Sequence, residues 1–492
     1  HNWTWHLSRV EGSPWNDIRV RKAANLCVDR EGLRDGLLAG LMVPASGTFE
    51  KGHPWRGNVT FETIPVADIN GIARGKILPG EKFLRSLDDE SLRLPESIFI
   101  QTVTGDYPEE DVIDPVDRDI RLRPDPNSIR LVPWYAEPTA QVLADCFYHD
   151  GRPVEISCRH VLRRVLDLYA GKGWRPVIAP ELEFFLTKVN EDPDYPLVPP
   201  IGRSRRQETA RQSFGIDAVN EFDPIFEDVY DWCEAQAIDV DTLTHEAGAA
   251  QMEINFNHGD ALELADQAFL FKRTLRQAAL KHGIYATFMA KPMAGEPGSS
   301  MHVHQSVVSG ESGHNLFSRQ DGEPSELFHW FIGGMQKFLP AAMPLLAPNV
   351  NSYRRLRRWS TAPINVHWGI ENRTVGLRVP ISSPEARRVE NRIAGADANP
   401  YLAIAATLAC GWLGMVGEIE PTDPIKGTAY RLAQTLPQQM PDALRKLHQS
   451  GPLKEVLGEA FVEVLLAVKQ TEHDAYQQVI SSWEREHLLL NV

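Results

Sequence analysis

Three short β-forming runs carry acids, amides or imidazoles at every second position. They are 176–186 (PVIAPELEFFL), 249–256 (AAQMEINF) and 299–307 (SSMHVHQSV). Successive strand side chains point to opposite faces. Glu181 and Glu183 therefore share a face, as do Gln251, Glu253 and Asn255, with Glu246 just upstream, and as do His302, His304 and Ser306. A solvated sheet face accounts for one such strand, but three are harder to dismiss. Clustered carboxylates repel unless a cation lies between them. Carboxylate oxygens with one or two imidazoles, and no thiolate, favour Mg²⁺ or Mn²⁺ over zinc.

The counterpart is a basic segment. Between positions 354 and 392 stand nine arginines (354, 355, 357, 358, 373, 378, 387, 388 and 392), no lysine and three acids (Glu371, Glu385 and Glu390), a local balance of +6. Arginine alone suits bidentate recognition of phosphate or carboxylate; the alternative is ion pairing with the chain's surplus acids. Metals and arginines together suggest phosphoryl transfer, in which the protein positions and neutralises charge. No Gly-x4-Gly-Lys-Ser/Thr loop is present, so a P-loop enzyme is excluded.

The whole chain has 492 residues with 51 Lys plus Arg against 66 Asp plus Glu, a net charge of −15. Such a surface disfavours nucleic acid and anionic lipid as partners. The five cysteines (27, 146, 158, 233 and 410) are widely spaced, without a Cys-x-x-Cys pair. They fit a reducing cytoplasm rather than a disulfide framework. The apolar run 401–417 (YLAIAATLACGWLGMVG) is short for a membrane span and follows an Asn399-Pro400 helix start, so it reads as a buried helix. The first residues, HNWTWHLS, carry no basic-then-apolar export signal.

The elements that must position these residues divide unevenly. Residues 1–58 hold Trp3, Trp5, Trp15 and Trp55, a third of the tryptophan. The phrase IRVRKAANLCVDREGLRDGLLAG there is similar to a segment of periplasmic peptide-binding proteins, and 1–58 reads as a fusion or misjoined stretch. From Val59 the pattern becomes a hairpin around Asn70-Gly71. Strands follow in PNSIRLVPW and in QVLADCFYHDGRPV, the latter ending at Asp150-Gly151. RHVLRRVLDLYAGKG and DALELADQAFLFKRTLRQAALKHG read as amphipathic helices with glycine stops. The expectation is an α+β chain: a small β-rich domain over 59–155, then a large α/β domain over 156–492. The polar stretches 190–200 and GRSRRQETARQ are expected to be mobile.

Seven runs, in order and at their spacing, resemble the glutamine synthetase superfamily over residues 59–492: DPNSIR, PELEFF, HEAGAAQMEINF, KPMAGEPGSSMHVHQS, NSYRRL, APINVHWGIENRTVGLRVP and RRVENRIAGADANPYLAIAATLA. The phrases are most like bacterial γ-glutamylpolyamine synthetases. The resemblance implies a β-grasp domain followed by a catalytic α/β domain, assembled as two stacked hexameric rings with active sites between neighbours. It implies an ATP-dependent ligase joining the γ-carboxylate of glutamate to an amine such as putrescine. Glutamine synthetase itself, a monoamine ligase and a non-catalytic relative are the alternatives. By the same resemblance Glu183, Glu246 and Glu253 match ligands of one metal, and Glu181, His302 and Glu390 ligands of a second. Asp241, His304, Ser306, Arg378 and Arg388 match ATP contacts, and Arg373 the arginine near the transferred phosphoryl group. Arg355, Arg392 and Gly298 match the glutamate site. Asp125, with Ser128, matches the acid that reaches an adjacent subunit's site and helps deprotonate the amine.

Departures bear on substrate choice. Glutamine synthetases of the resemblance carry a Glu before the Ala-Pro that follows NSYRRL, where it helps trap ammonium; here Thr361 precedes Ala362-Pro363. Losing that carboxylate weakens selection for a small cation and leaves room for an alkyl chain. Glu385 and Pro297 stand where a Lys and an Asn are usual.

Overall fold

The computed structural model describes residues 60–492 apart from 110, 111 and 210. The reading of 1–58 lies outside the described residues. Alternating segments pair into two sheets. The first takes β1 (Thr60–Ala67), β2 (Ala73–Pro79), β3 (Arg93–Pro95), β4 (Asp119–Pro124), β5 (Arg130–Leu131) and β6 (Thr139–Phe147). Their order is β2-β1-β6-β4-β3, with β5 also on β6. β1 and β2 form the expected hairpin, and β1 runs parallel to β6. At the hairpin tip Gly71 has φ +75°, a left-handed conformation that glycine adopts without a Cβ penalty. PNSIRLVPW is a strand only at Arg130–Leu131. The turn Pro126–Ser128 precedes it, and Pro133 offers no N–H to extend a ladder.

The second sheet is built from β7 (Trp174–Lys188), β8 (Val240–His245), β9 (Gln251–Phe256), β10 (Gly259–Asp260), β11 (Ile284–Thr287), β12 (Met301–Ser309), β13 (Trp368–Ile370), β14 (Leu377–Val379) and β15 (Val389–Asn391). Its main path is β13-β14-β15-β12-β7-β9-β8. The three polar-faced runs therefore lie side by side. Glu181 stands opposite Asn255 and His302, Glu183 opposite Glu253, and His304 opposite Glu390. The opposite face is apolar: Leu182, Phe184, Met252 and Ile254 are fully buried.

Helices cover that apolar face. Ala261–Lys281 begins at Asp260, whose carboxylate caps the N–H groups of Leu262 and Glu263, and stops before Gly283 at φ +71°. Pro400–Val416 starts at the Asn399 cap, is buried along almost its whole length and packs on Glu326–Leu346 and Cys158–Ala170. Among the described residues no helix is long and apolar enough to cross a membrane.

A buried ion cluster ties the first sheet to the helices Cys158–Ala170, Ala261–Lys281 and Pro400–Val416. Arg159, 1% exposed, bonds Asp145 and Asp125 at 2.7 Å each and grips Asp266 through two nitrogens at 2.8 and 3.0 Å. Arg163 lies 2.9 Å from Asp145, and Tyr401 donates to Asp266 at 2.7 Å. Removing one member of such a cluster strands uncompensated charge, which costs about 3–5 kcal/mol. Arg159→Met is expected to lose stability of that order in a urea unfolding curve.

Candidate active site

The side chains on the polar face converge. Among the described residues, two groups bring three possible ligand atoms within 4.8 Å of one another: Glu181, Glu253 and His302, and Glu181, His304 and Glu390. His302 Nδ1 is 3.3 Å from Glu181 and 3.7 Å from Glu390, while its Nε2 is 4.0 Å from Glu183. Of the expected groups, Glu181, His302 and Glu390 adjoin one another through His302 Nδ1, and Glu183 stands opposite Glu253. Glu253 groups with Glu181 and His302, and His304, expected at the nucleotide, lies 2.8 Å from Glu181. Arg388 Nε donates to His304 Nδ1 at 3.2 Å, which places the ring proton on Nε2, facing Glu181.

The charges in this cluster are unbalanced. Burial, then repulsion from Glu246, pushes Glu183 up to about 8. Burial, then the neighbouring Glu181, Glu183 and Glu246, pushes Glu253 up to about 9. Glu246 is raised as well, chiefly by burial. Burial also works against Glu181 and Glu390. Hydrogen bonds from His302 and His304 nevertheless hold Glu181 well below the usual range, and Arg392 with the two histidines brings Glu390 to about 2. Buried acids forced toward neutrality beside histidines are a donor set that divalent cations fit.

Arginines close the other side. Arg378 bonds Glu390 at 2.8 Å and also reaches Glu371, and Arg392 pairs with Glu390. Arg355, 2% exposed, bonds Ser300 Oγ at 3.1 Å and the carbonyl of Ile393. The Nε atoms of Arg355, Arg378 and Arg392 are buried, and among the described residues no partner meets them. Orphaned buried donors of this kind fit an anionic ligand. Gly298 lies against Arg355: an added Cβ would come 2.3 Å from Arg355 Cγ and 2.6 Å from the Ala290 carbonyl. Gln251 ties the region together, donating to Gly298 O at 3.0 Å and to Glu183 at 3.4 Å, while the Ser300 N–H donates to Glu183 at 2.8 Å.

The remaining expected residues stand further out. Arg373 is exposed in the turn after β13 and acts on Glu246 through its charge. Ser306 is half-buried farther along β12 from His304, and Asp241 is exposed on the edge strand β8. Thr361 is exposed at φ +66°, two residues after Trp359 at φ +63°. The Trp359 ring packs 5.1 Å from that of Tyr430. Trp134 packs on Trp232 and Arg273. Asp125 is held within its own chain by Arg159 and by the Asn127 N–H, not by the carboxylate cluster. Burial opposes its ionisation, but those bonds and Arg163 keep it below the ordinary range.

Sequence reasoning did not single out Arg159, Glu208, Arg211, His245 or Glu296 as functional. His245 and Glu296 lie within quoted motifs and so had a signal; Arg159, Glu208 and Arg211 meet their partners only through tertiary packing.

Comparison with known proteins agrees with this geometry. The family model described as glutamine synthetase, catalytic domain, matches residues 155–488. The chain is 35% identical over 440 residues to Gamma-glutamylputrescine synthetase PuuA of Escherichia coli (strain K12), covering 88% of this chain and 92% of that protein. It is 33% identical to Glutamate--isopropylamine ligase of a Pseudomonas species, covering 87% and 94%. It is 31% identical to Glutamine synthetase of Pyrococcus abyssi (strain GE5 / Orsay), covering 87% and 92%. A solved structure titled "Apo GmaS without ligand" superposes with a TM-score of 0.75 at 28% identity, covering 87% of this chain and 96% of that one. The acid–imidazole cluster thus lies in a matched catalytic domain, and the chain belongs to the glutamine synthetase family.

Proposed function

We propose that this protein is a cytoplasmic ATP-dependent ligase that joins the γ-carboxylate of glutamate to an alkyl amine, putrescine or another polyamine, with the β-grasp and catalytic domains dividing near residue 155. One observation carries the reading: a buried carboxylate–imidazole cluster faces arginines whose buried Nε donors meet no partner among the described residues. The relatives named for putrescine and isopropylamine support it.

A γ-carboxylate oxygen of glutamate attacks the γ-phosphorus of ATP, releasing ADP and leaving a γ-glutamyl phosphate. The amine nitrogen then attacks the acyl carbon, phosphate departs and the nitrogen loses a proton. Arg355 and Arg392 hold the glutamate carboxylate. Arg378 and Arg388, with His304, Ser306 and Asp241, hold the nucleotide, and Arg373 offsets charge on the transferring group. Divalent cations, Mg²⁺ or Mn²⁺, held at Glu181, Glu183, Glu246, Glu253, His302 and Glu390 would supply neutralisation of the phosphate oxygens. Asp125, kept anionic by Arg159, serves an adjacent copy in a stacked-ring assembly, receiving the ammonium group of the incoming amine and helping to deprotonate it.

The test is phosphate release with glutamate and ATP across putrescine, spermidine, ethanolamine, isopropylamine and ammonium. The reading expects an alkyl amine to be fastest. Ammonium fastest would make this a glutamine synthetase, and no turnover with any amine would end the ligase reading. Gly298→Ala should raise the glutamate KM by about tenfold or more. Overpacking against Arg355 and the Ala290 carbonyl costs about 1–3 kcal/mol, and each 1.4 kcal/mol is tenfold.

A further inference from the structure

The segment read as a mobile polar loop, GRSRRQETARQ, reaches both halves of the candidate site. Glu208 has a side chain 7% exposed. Its Oε1 accepts from His245 Nε2 at 2.8 Å, and His245 is fully buried. The other ring nitrogen, Nδ1, lies 2.7 Å from the carbonyl of Glu246. Both partners are oxygen acceptors of hydrogen bonds from the ring, so the imidazole bridges Glu208 to the backbone that carries one of the cluster's acids. Three residues on, Arg211 reaches elsewhere. Its NH2 group donates to Gly295 O at 2.5 Å and to Glu296 Oε1 at 3.0 Å. Glu296 in turn accepts the Ala249 N–H at 3.1 Å, and Lys291 donates to its carbonyl. This is the turn that ends in Gly298, packed on Arg355.

We propose that Glu208 and Arg211 act as a positioning strap with two separable ends: Glu208 sets the metal-binding loop through His245, and Arg211 sets the glutamate loop through Glu296. This rests on the ligase reading, which assigns metal to Glu246 and glutamate to the Gly298 loop. Neither residue touches substrate. Glu208 acts by fixing an imidazole that holds the Glu246 peptide in place. Hydrogen-bond partners behind a metal ligand typically change metal affinity about 10- to 100-fold. Arg211 has a side chain 56% exposed, so its removal leaves no buried hole. Its loss leaves Glu296 held by the Ala249 N–H and Lys291 and loosens the turn before Gly298.

The experiment uses the full chain and two equilibrium readouts. Mn²⁺ alone is titrated by electron paramagnetic resonance, and glutamate is titrated by calorimetry with Mn²⁺ and ADP present. Glu208→Gln should weaken Mn²⁺ binding about tenfold while glutamate affinity, measured at saturating Mn²⁺, stays within about twofold of wild type. Arg211→Ala should weaken glutamate binding about fivefold, the worth of roughly one hydrogen bond, with Mn²⁺ binding unchanged; Arg211→Lys should recover part of it. If both constants move together in both variants, or neither moves, the strap is a structural loop and the proposal is wrong. Should Glu208→Gln fail to fold, Glu208→Asp, which keeps the charge but withdraws it by one methylene, is titrated in its place under the same criterion. Because neither readout needs turnover, the arms separate the two ideas. A wild type that binds Mn²⁺ and glutamate but turns over no amine sinks the ligase reading alone, whereas an active wild type with unsplit variants sinks the strap alone.

Discussion

Glu181→Gln is expected to reduce amine-dependent turnover about a thousandfold or more while leaving the fold intact. Glu181 belongs to both ligand groups, so one substitution removes a donor from each. A cation site contributes several kcal/mol to stabilising a phosphoryl-transfer transition state, and each 1.36 kcal/mol is about tenfold in rate. The neighbouring Glu253→Gln should be equally inactive, but its stability carries further information. In the metal-free protein Glu183 and Glu253 are held up near 8 and 9, above the ordinary carboxylate value of 4.5. Groups raised in this way stabilise the fold fully below about 4.5, and that contribution is lost as pH climbs toward 8 and 9. The metal-free wild type should therefore weaken steadily from pH 5 to pH 9. Glu253→Gln, neutral at every pH, should flatten that slope and raise the melting temperature at pH 9 by a few degrees, on the order expected for 1–2 kcal/mol in a large domain. At pH 5, where Glu253 already carries its proton, it should differ little. Adding Mn²⁺ should stabilise wild type more at pH 8 than at pH 6, because its ligands must be deprotonated. Scanning calorimetry across this range reads all of these outcomes.

The second large effect concerns the amine. Thr361→Glu is expected to lower kcat/KM for an alkyl amine at least tenfold and to raise it for ammonium. The added carboxylate favours a small cation and fills space an alkyl chain would use. The backbone accepts this change: Thr361 is at φ +66°, a region that β-branched residues tolerate poorly and that Glu enters at less cost. A competition assay with equimolar putrescine and ammonium gives the ratio directly. An unchanged ratio would mean that Thr361 does not face the amine.

Much of this site was legible along the chain because strand geometry is periodic. Alternation alone placed Glu181 with Glu183, Gln251 with Glu253, and His302 with His304, and register then set Glu183 opposite Glu253 and His302 opposite Glu181. The hairpin at Asn70-Gly71, the helix after Asp260 and the buried helix after Asn399 were legible for the same reason: their signals are local. What was not legible depends on pairs distant in sequence. Arg159 meets Asp125, Asp145 and Asp266 from separate elements, and no spacing rule announces three acids around one guanidinium. Nor does the sequence show that His304 turns toward Glu181 with Arg388 behind it, or that Glu208 reaches His245. The strand expected over PNSIRLVPW shrank to two residues because prolines bracket it. Composition also does not show that Glu208 and Arg211 of GRSRRQETARQ meet His245 and Glu296.

Anomalous diffraction from crystals soaked in Mn²⁺ and ADP tests the central claim most directly. The account predicts at least two manganese peaks inside the cluster, coordinated by Glu181, Glu253, His302 and Glu390, with the guanidinium groups of Arg378 or Arg388 turned to the phosphates. Manganese confined to surface acids, with these four side chains bare of metal at saturating Mn²⁺, would contradict it.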